Sequence, residues 1–167
     1  MRRAKDDIGG NPFVMAIPDQ LLLSKIPATR QLLNAYKSGD GIWNSMVKIP
    51  EKEIDYFKGS RPFKYKKRSG NLYSIEDIFT DETSHLRGFG RTIYLPEALE
   101  YMTEEYKNNE TGEIDLLNTF QAMRKRIPLY GTILNGKPCD LGAWEGYYYY
   151  QPIILKHLNS KGKSLWL

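Results

Sequence analysis

Apolar positions along the chain fall into short continuous runs and longer periodic stretches, separated by turn-forming residues. Phe13 to Ile17 is a continuous apolar run closed by Pro18-Asp19, the pattern of a strand buried on both faces of a parallel sheet. Pro27 opens PATRQLLNAYKSGD, a helix that places Ala28, Leu32, Leu33 and Tyr36 on one side and stops at Gly39. GIWNSMVKI alternates as a strand does, and Pro50 to Glu53 reads as a turn or the start of a short helix. RPFKYKKRSGNLYSIEDIF reads as two extended arms joined at Ser69-Gly70. GFGRTIYLP is a strand entered through glycines, and Pro96 then opens a helix with Ala98, Leu99, Met102 and Tyr106 inward. In GEIDLLNTFQAMRKRI, Ile114, Leu117, Phe120 and Met123 form a second core-facing stripe, and Arg124-Lys125-Arg126 suit a helix C-terminus. In LYGTILNGKPCDLGAWEGYY, β-favouring residues run through Asn135-Gly136, read as a hairpin turn. A second extended piece delivers Asp140 directly before a terminal helix of about residues 144–158, which Pro152 kinks or restarts.

The pattern predicts an α/β chain, and 167 residues are enough for one core and no more than one domain. With 24 Lys and Arg against 20 Asp and Glu, the net charge of +4 suits phosphate-bearing ligands but is too weak to argue for nucleic acid. The basic cluster Lys64, Lys66, Lys67 and Arg68 reads as a solvated face beside a turn, and Tyr147 to Tyr150 as helix packing. Cys139 is the single cysteine, which excludes an internal disulfide and reads as a small buried hydrophobe in a reducing compartment. His85 and His157 have no zinc-ligand spacing. MRRAKDDIGG passes to polar and glycine residues without an apolar core, and no run approaches membrane-spanning length. The expected location is therefore the cytoplasm, with no membrane partner.

Asp140 stands where strand gives way to helix, and from position alone two readings are open. Such a carboxylate can hold a hard cation, or it can simply accept from free N–H groups at the helix start. The segment order FVMAIPDQ, GFGRTIYLP, GEIDLLNTF and GKPCDLGAWEGY resembles the sugar-1-phosphate nucleotidylyltransferases, and within them most the bacterial UTP–glucose-1-phosphate uridylyltransferases. The matching family pieces read approximately PFAVLLPDD, VGRYIL, GEIQLTDA and GKRYDTGDKLGY. The resemblance runs from about Ala4 to about Tyr149 and implies only the later part of that family's catalytic domain.

It implies an incomplete Rossmann-like nucleotidyltransferase fold, a mixed and mostly parallel sheet flanked by helices, with residues 1–167 as a single partial domain. It further implies that Asp19 and Asp140 are the catalytic pair that holds Mg²⁺, and that Glu76, Gly90 and Glu113 bind the sugar. The implied substrates are a nucleoside triphosphate, first UTP, and a sugar 1-phosphate, first glucose 1-phosphate, giving an NDP-sugar and pyrophosphate.

The chain departs from the family at several points. Gln20 stands where a second acid is common, and Tyr56-Phe57-Lys58-Gly59 blurs a tyrosine-glycine pair. Asp77 replaces the lysine that contacts the sugar phosphate, a loss for which Arg87 or a hairpin lysine would have to compensate. The family's glycine-rich GxGTRxxPxT loop has no counterpart in these residues. The expectation is a chain inactive by itself, working as a homo-oligomer or with a separate chain carrying the missing half. The rival is a non-catalytic sugar-phosphate-binding or assembly subunit.

Overall fold

In the computed structural model, residues 4–36, 40–58, 60, 62–78, 85–103 and 116–160 are described. In chain order they form helix α1 (Lys5–Ile8), strands β1 (Phe13–Ala16) and β2 (Gln20–Leu23), helix α2 (Ala28–Ala35) and strand β3 (Ile42–Lys48). A 3₁₀ turn at Glu51–Tyr56 leads to β4 (Phe63–Ser69), β5 (Leu72–Ile78) and β6 (Leu86–Tyr94). A second 3₁₀ turn, Pro96–Tyr101, precedes α3 (Leu116–Met123), β7 (Leu129–Ile133), β8 (Lys137–Asp140) and α4 (Trp144–Ser160).

Six strands form one sheet in the order β1-β6-β3-β7-β5-β4, while β2 and β8 pair separately. The mixed sheet with flanking helices follows the expectation, but its parallel share is smaller. Among the described strands only β3 and β7 run parallel, because β6 enters between β1 and β3 in the opposite direction and the β4–β5 hairpin adds antiparallel to β7. β1 is consequently an outer strand with one covered face. Its burial alternates and Val14 is 38% exposed, so the apolar run there does not mark a doubly buried strand.

β3 is the doubly buried strand. Six consecutive residues are buried, with Ile42 and Met46 feeding one cluster and Trp43 and Val47 feeding the others. Phe120 and Met123 of α3 join the first cluster, Leu32 of α2 the third and Tyr150 of α4 the second. Leu33, expected inward, is 43% exposed; an eight-residue helix seats only Ala28 and Leu32 deeply.

The expected Asn135-Gly136 hairpin is instead a corner between the two sheets. β7 pairs with β3 and β5, whereas β8 pairs with β2. Gln31 of α2 explains the break: its Oε1 accepts from the Asn135 N–H at 2.8 Å and its Nε2 donates to the Asn135 carbonyl at 2.9 Å. Both backbone groups of Asn135 are therefore satisfied by a side chain, and a returning strand is not needed. Gly136 has φ +148°, and a Cβ there would lie 2.8 Å from the Ser24 Cβ and 2.9 Å from the Leu23 carbonyl oxygen. The expected helix stop at Gly39 and the inward positions Tyr106 and Ile114 lie outside the described residues.

Candidate metal and phosphate site

The β2–β8 ladder sets Gln20 opposite Asp140, and the Asp19 carbonyl accepts the Leu141 N–H at 2.9 Å, extending the pairing past the strand end. Both acids thus arrive at one place. A Cβ built on Gly142 would lie 2.6 Å from Asp19 Oδ2 and 3.2 Å from Asp140 Oδ1, so those oxygens are no farther apart than these distances laid end to end. Asp140 is 1% exposed; its Oδ1 accepts the Gly142 N–H at 3.0 Å, the role expected of an acid at a helix start. Its Oδ2 accepts from Gln20 Nε2 at 3.4 Å. Asp19 Oδ1 is buried and has no hydrogen-bond partner among the described residues. Two carboxylates with an oxygen left over form a hard donor set, and Mg²⁺ characteristically takes one or two protein carboxylates and completes its shell with phosphates and water. Among the described residues no group of three or more His, Cys, Asp or Glu could hold a metal.

Gln20 organises the inner wall. Buried at 4% exposure, it donates to Ser60 Oγ at 3.3 Å as well as to Asp140, and its Oε1 accepts the Gly90 N–H at 2.6 Å. A neutral amide here braces Asp140 with a donor, where a second acid would set like charges together. Gly90 therefore borders the acid pair. A Cβ on it, however, would meet the Ile17 Cβ at 2.6 Å and Gln20 Oε1 at 3.1 Å. Its missing side chain makes room for this chain's own Ile17 and Gln20.

An irregularity in β6 aims the next residue. Asn44 pairs with Thr92 but Ser45 with Phe89, so Gly90 and Arg91 bulge from β3 toward β1, and the Ser45 hydroxyl lies 2.8 and 2.7 Å from the Phe89 and Arg91 carbonyls. Arg91 Nη1 donates to the Ile17 and Gly90 carbonyls, both at 2.7 Å. Burial lowers the pKa of this guanidinium while the Asp19 charge opposes the shift, which places a cation within electrostatic reach of the acid pair. Sequence reasoning missed Arg91, although its match to the arginine of VGRYIL was a readable signal. Arg87, the cation it did name, is 3% exposed and donates to the Phe57 and Ser60 carbonyls.

Glu76 is not brought to this site. Its side chain is exposed on β5, which β3 and β7 separate from β6, and its carbonyl accepts from Arg124, just past the end of α3, at 2.9 Å. Neighbouring Asp77 accepts from Gln121 at 2.7 Å and pairs with Arg124 at 3.6 Å, which fastens β5 to α3. Glu113 lies outside the described residues.

No family model matches the chain. The UTP–glucose-1-phosphate uridylyltransferase of Staphylococcus haemolyticus (strain JCSC1435) is 26% identical over 149 residues, covering 86% of this chain and 50% of that protein. This chain is homologous to those uridylyltransferases over most of its length. It spans about half the length of the curated relatives it matches. A crystal structure of apo UDP-glucose pyrophosphorylase superposes with a TM-score of 0.76 at 21% identity, covering 93% of this chain and 58% of that one. UDP-glucose pyrophosphorylase complexed with UDP-glucose gives 0.75 at 22% identity, covering 93% and 60%. The fold is that of the sugar-phosphate nucleotidyltransferases. Among the described residues, no helix is long and apolar enough to cross a membrane.

Proposed function

We propose that this chain is the sugar-phosphate- and metal-binding part of a nucleotidylyltransferase, with Asp19 and Asp140 as the carboxylates that hold Mg²⁺. The observation carrying this reading is the convergence of both carboxylates around Gly142, with Asp19 Oδ1 buried and unpartnered. A buried acceptor of this kind costs about 1–3 kcal/mol unless something occupies it. The reaction is attack of a sugar 1-phosphate oxygen on the α-phosphorus of a nucleoside triphosphate with loss of pyrophosphate; UTP and glucose 1-phosphate are the substrates the uridylyltransferase homologues suggest.

A divalent cation bound here would neutralise phosphate charge as it redistributes during transfer. Asp19 and Asp140 fix its place, and Gln20 holds Asp140 against the backbone of β6. Arg91, anchored through Nη1 to two carbonyls and within the field of Asp19, is the cation that would meet an anion bound beside the acids. It would supply the positive charge that Asp77 does not, from β6.

Mn²⁺ titration followed by electron paramagnetic resonance tests the site. The parent protein should bind, and Asp19→Asn and Asp140→Asn should each weaken binding by about tenfold or more. Binding unchanged in both variants would remove the acid pair from the metal site.

A non-catalytic subunit is the second reading, favoured by one observation. Asp77, at the position of the family's phosphate lysine, is committed to Gln121 and Arg124. Metal and sugar-phosphate binding without turnover, even when a chain carrying the glycine-rich loop is supplied, would select it.

A further inference from the structure

The stretch from Tyr56 to Ser60 passes beside the acid pair and touches its surroundings at both ends. At the first end, a Cβ on Gly146 would collide with the carbonyl oxygens of both Asp140 and Tyr56, and the Tyr56 ring stacks on Tyr149 of α4 at 4.0 Å. At the second, Ser60 Oγ accepts from the same Gln20 amide that donates to Asp140. Buried Arg87 donates through Nη1 to the Phe57 and Ser60 carbonyls, so a cation holds this backbone from within.

Lys58 stands at the middle of the stretch. Phe57 and Ser60 are buried, whereas the Lys58 side chain is 55% exposed and its Nζ meets Glu145 Oε1 at 2.8 Å. Glu145 belongs to the first turn of α4, shortly after Asp140. Two residues of chain span at most about 7 Å, so the Lys58 backbone lies within that distance of Tyr56 and of Ser60, and its flexible four-carbon stem extends the reach. Gly59 and Arg61, which lie outside the described residues, add no acid to the stretch. The hydrogen bond from Lys58 holds the Glu145 carboxyl below its ordinary value, which keeps it ionised at neutral pH.

Building on the metal and phosphate reading of Asp19 and Asp140, we propose that Lys58 binds the phosphate of the sugar 1-phosphate there, and that Glu145 occupies its ammonium until that ligand arrives. An ion pair this exposed is weak, while a phosphate dianion offers more charge and more acceptor oxygens, so the exchange favours the ligand. With Asp77 in place of a lysine on β5, Lys58 is a second cation in addition to Arg91, carried by a different segment. A merely structural ion pair loses its effect alike when either partner is removed. Here the partners act in opposite directions, because Lys58 attracts the ligand and Glu145 competes with it.

The test is a ³¹P NMR titration of glucose 1-phosphate with the 167-residue protein, without divalent cation and again with Mg²⁺. Lys58→Met should weaken binding about tenfold, the loss of one charge-assisted hydrogen bond. Glu145→Gln should tighten it about threefold by releasing the ammonium, and should give no gain in the Lys58→Met background. Both side chains are more than half exposed, so these variants should fold as the parent does. Lys66→Met removes the same charge from exposed β4 and should change nothing. Mn²⁺ binding by Lys58→Met, followed by electron paramagnetic resonance, should match the parent. A parent that takes no Mn²⁺ yet binds glucose 1-phosphate through Lys58 would support the lysine and fail the acid-pair reading. The proposal is overturned if the parent gives no saturable ³¹P shift, if Lys58→Met binds as the parent does, if Glu145→Gln weakens binding, or if its gain survives without Lys58.

Discussion

Glu53 sits almost wholly buried in the 3₁₀ turn before β4, with Lys137 Nζ donating to its two oxygens at 2.7 and 2.8 Å and the Tyr150 hydroxyl donating at 3.2 Å. Lys137 is three residues from Asp140 on the same strand, so the pair fastens β8 to the 3₁₀ turn, and the Tyr150 hydroxyl ties α4 to the same carboxylate. Lys137→Met should destabilise the fold by about 3 kcal/mol, the lower end of the range for breaking a buried pair because the Lys137 side chain is 34% exposed. Denaturant titration measures it, and adding Glu53→Gln should recover part of the loss. Burial also pushes the Cys139 thiol up to about 12 from an ordinary 9.0, and the Tyr94 and Tyr150 phenols upward as well. These groups remain protonated in the folded chain after they would ionise in the unfolded one. Stability is therefore complete below about pH 9 and falls between about pH 9 and 12. Unfolding midpoints at stepped alkaline pH should decline, and the decline should be shallower in Cys139→Ala. At this scale the sequence was informative about Cys139, an inert buried thiol, and about the segments carrying Asp19 and Asp140. It could not reveal that Tyr150, alone of four consecutive tyrosines, is completely buried, because that depends on a partner 97 positions away.

Among the elements, β6 and the β7–β8 corner do most to shape the site. Glycines flanking Phe89 were readable as a strand irregularity, and the structure turns them into a bulge that delivers Arg91. The corner was not readable. Asn-Gly between two β-favouring runs is a strong hairpin signal, and only the reach of Gln31 from another element overrides it. Gly136→Ala should cost about 1–3 kcal/mol, from left-handed backbone and contact with Ser24 and Leu23 together. Thermal unfolding would show it, and a neutral result would mean that the corner relaxes freely. The β4–β5 arms were legible because their pairing is local, apart from a turn at Gly70-Asn71, one residue later than expected.

At the scale of the whole molecule, most helices and strands were recovered from periodicity, but β2 was not read at all, the helix expected from Pro96 is a 3₁₀ turn over Pro96–Tyr101, and strand order was not recovered. Direction and neighbour depend on contacts distant in sequence, which is why β1 appeared doubly buried and the sheet mostly parallel. The 167 residues include no glycine-rich phosphate loop, so this chain by itself should release no detectable pyrophosphate from UTP, Mg²⁺ and glucose 1-phosphate. Turnover at ordinary enzyme rates by a monodisperse sample would overturn that expectation. The two-point grip of Gln31 on Asn135 also has an evolutionary consequence. It works as a ruler between a sheet that gives the molecule its stability and a short ladder that carries Asp140. Adding one residue between Asn135 and Lys137 would leave the six-stranded sheet untouched, yet turn every β8 side chain to the opposite face. Such a lineage would keep its fold and lose its acid pair in one step, whereas a comparable insertion at the Gly70-Asn71 turn would leave the pair in place.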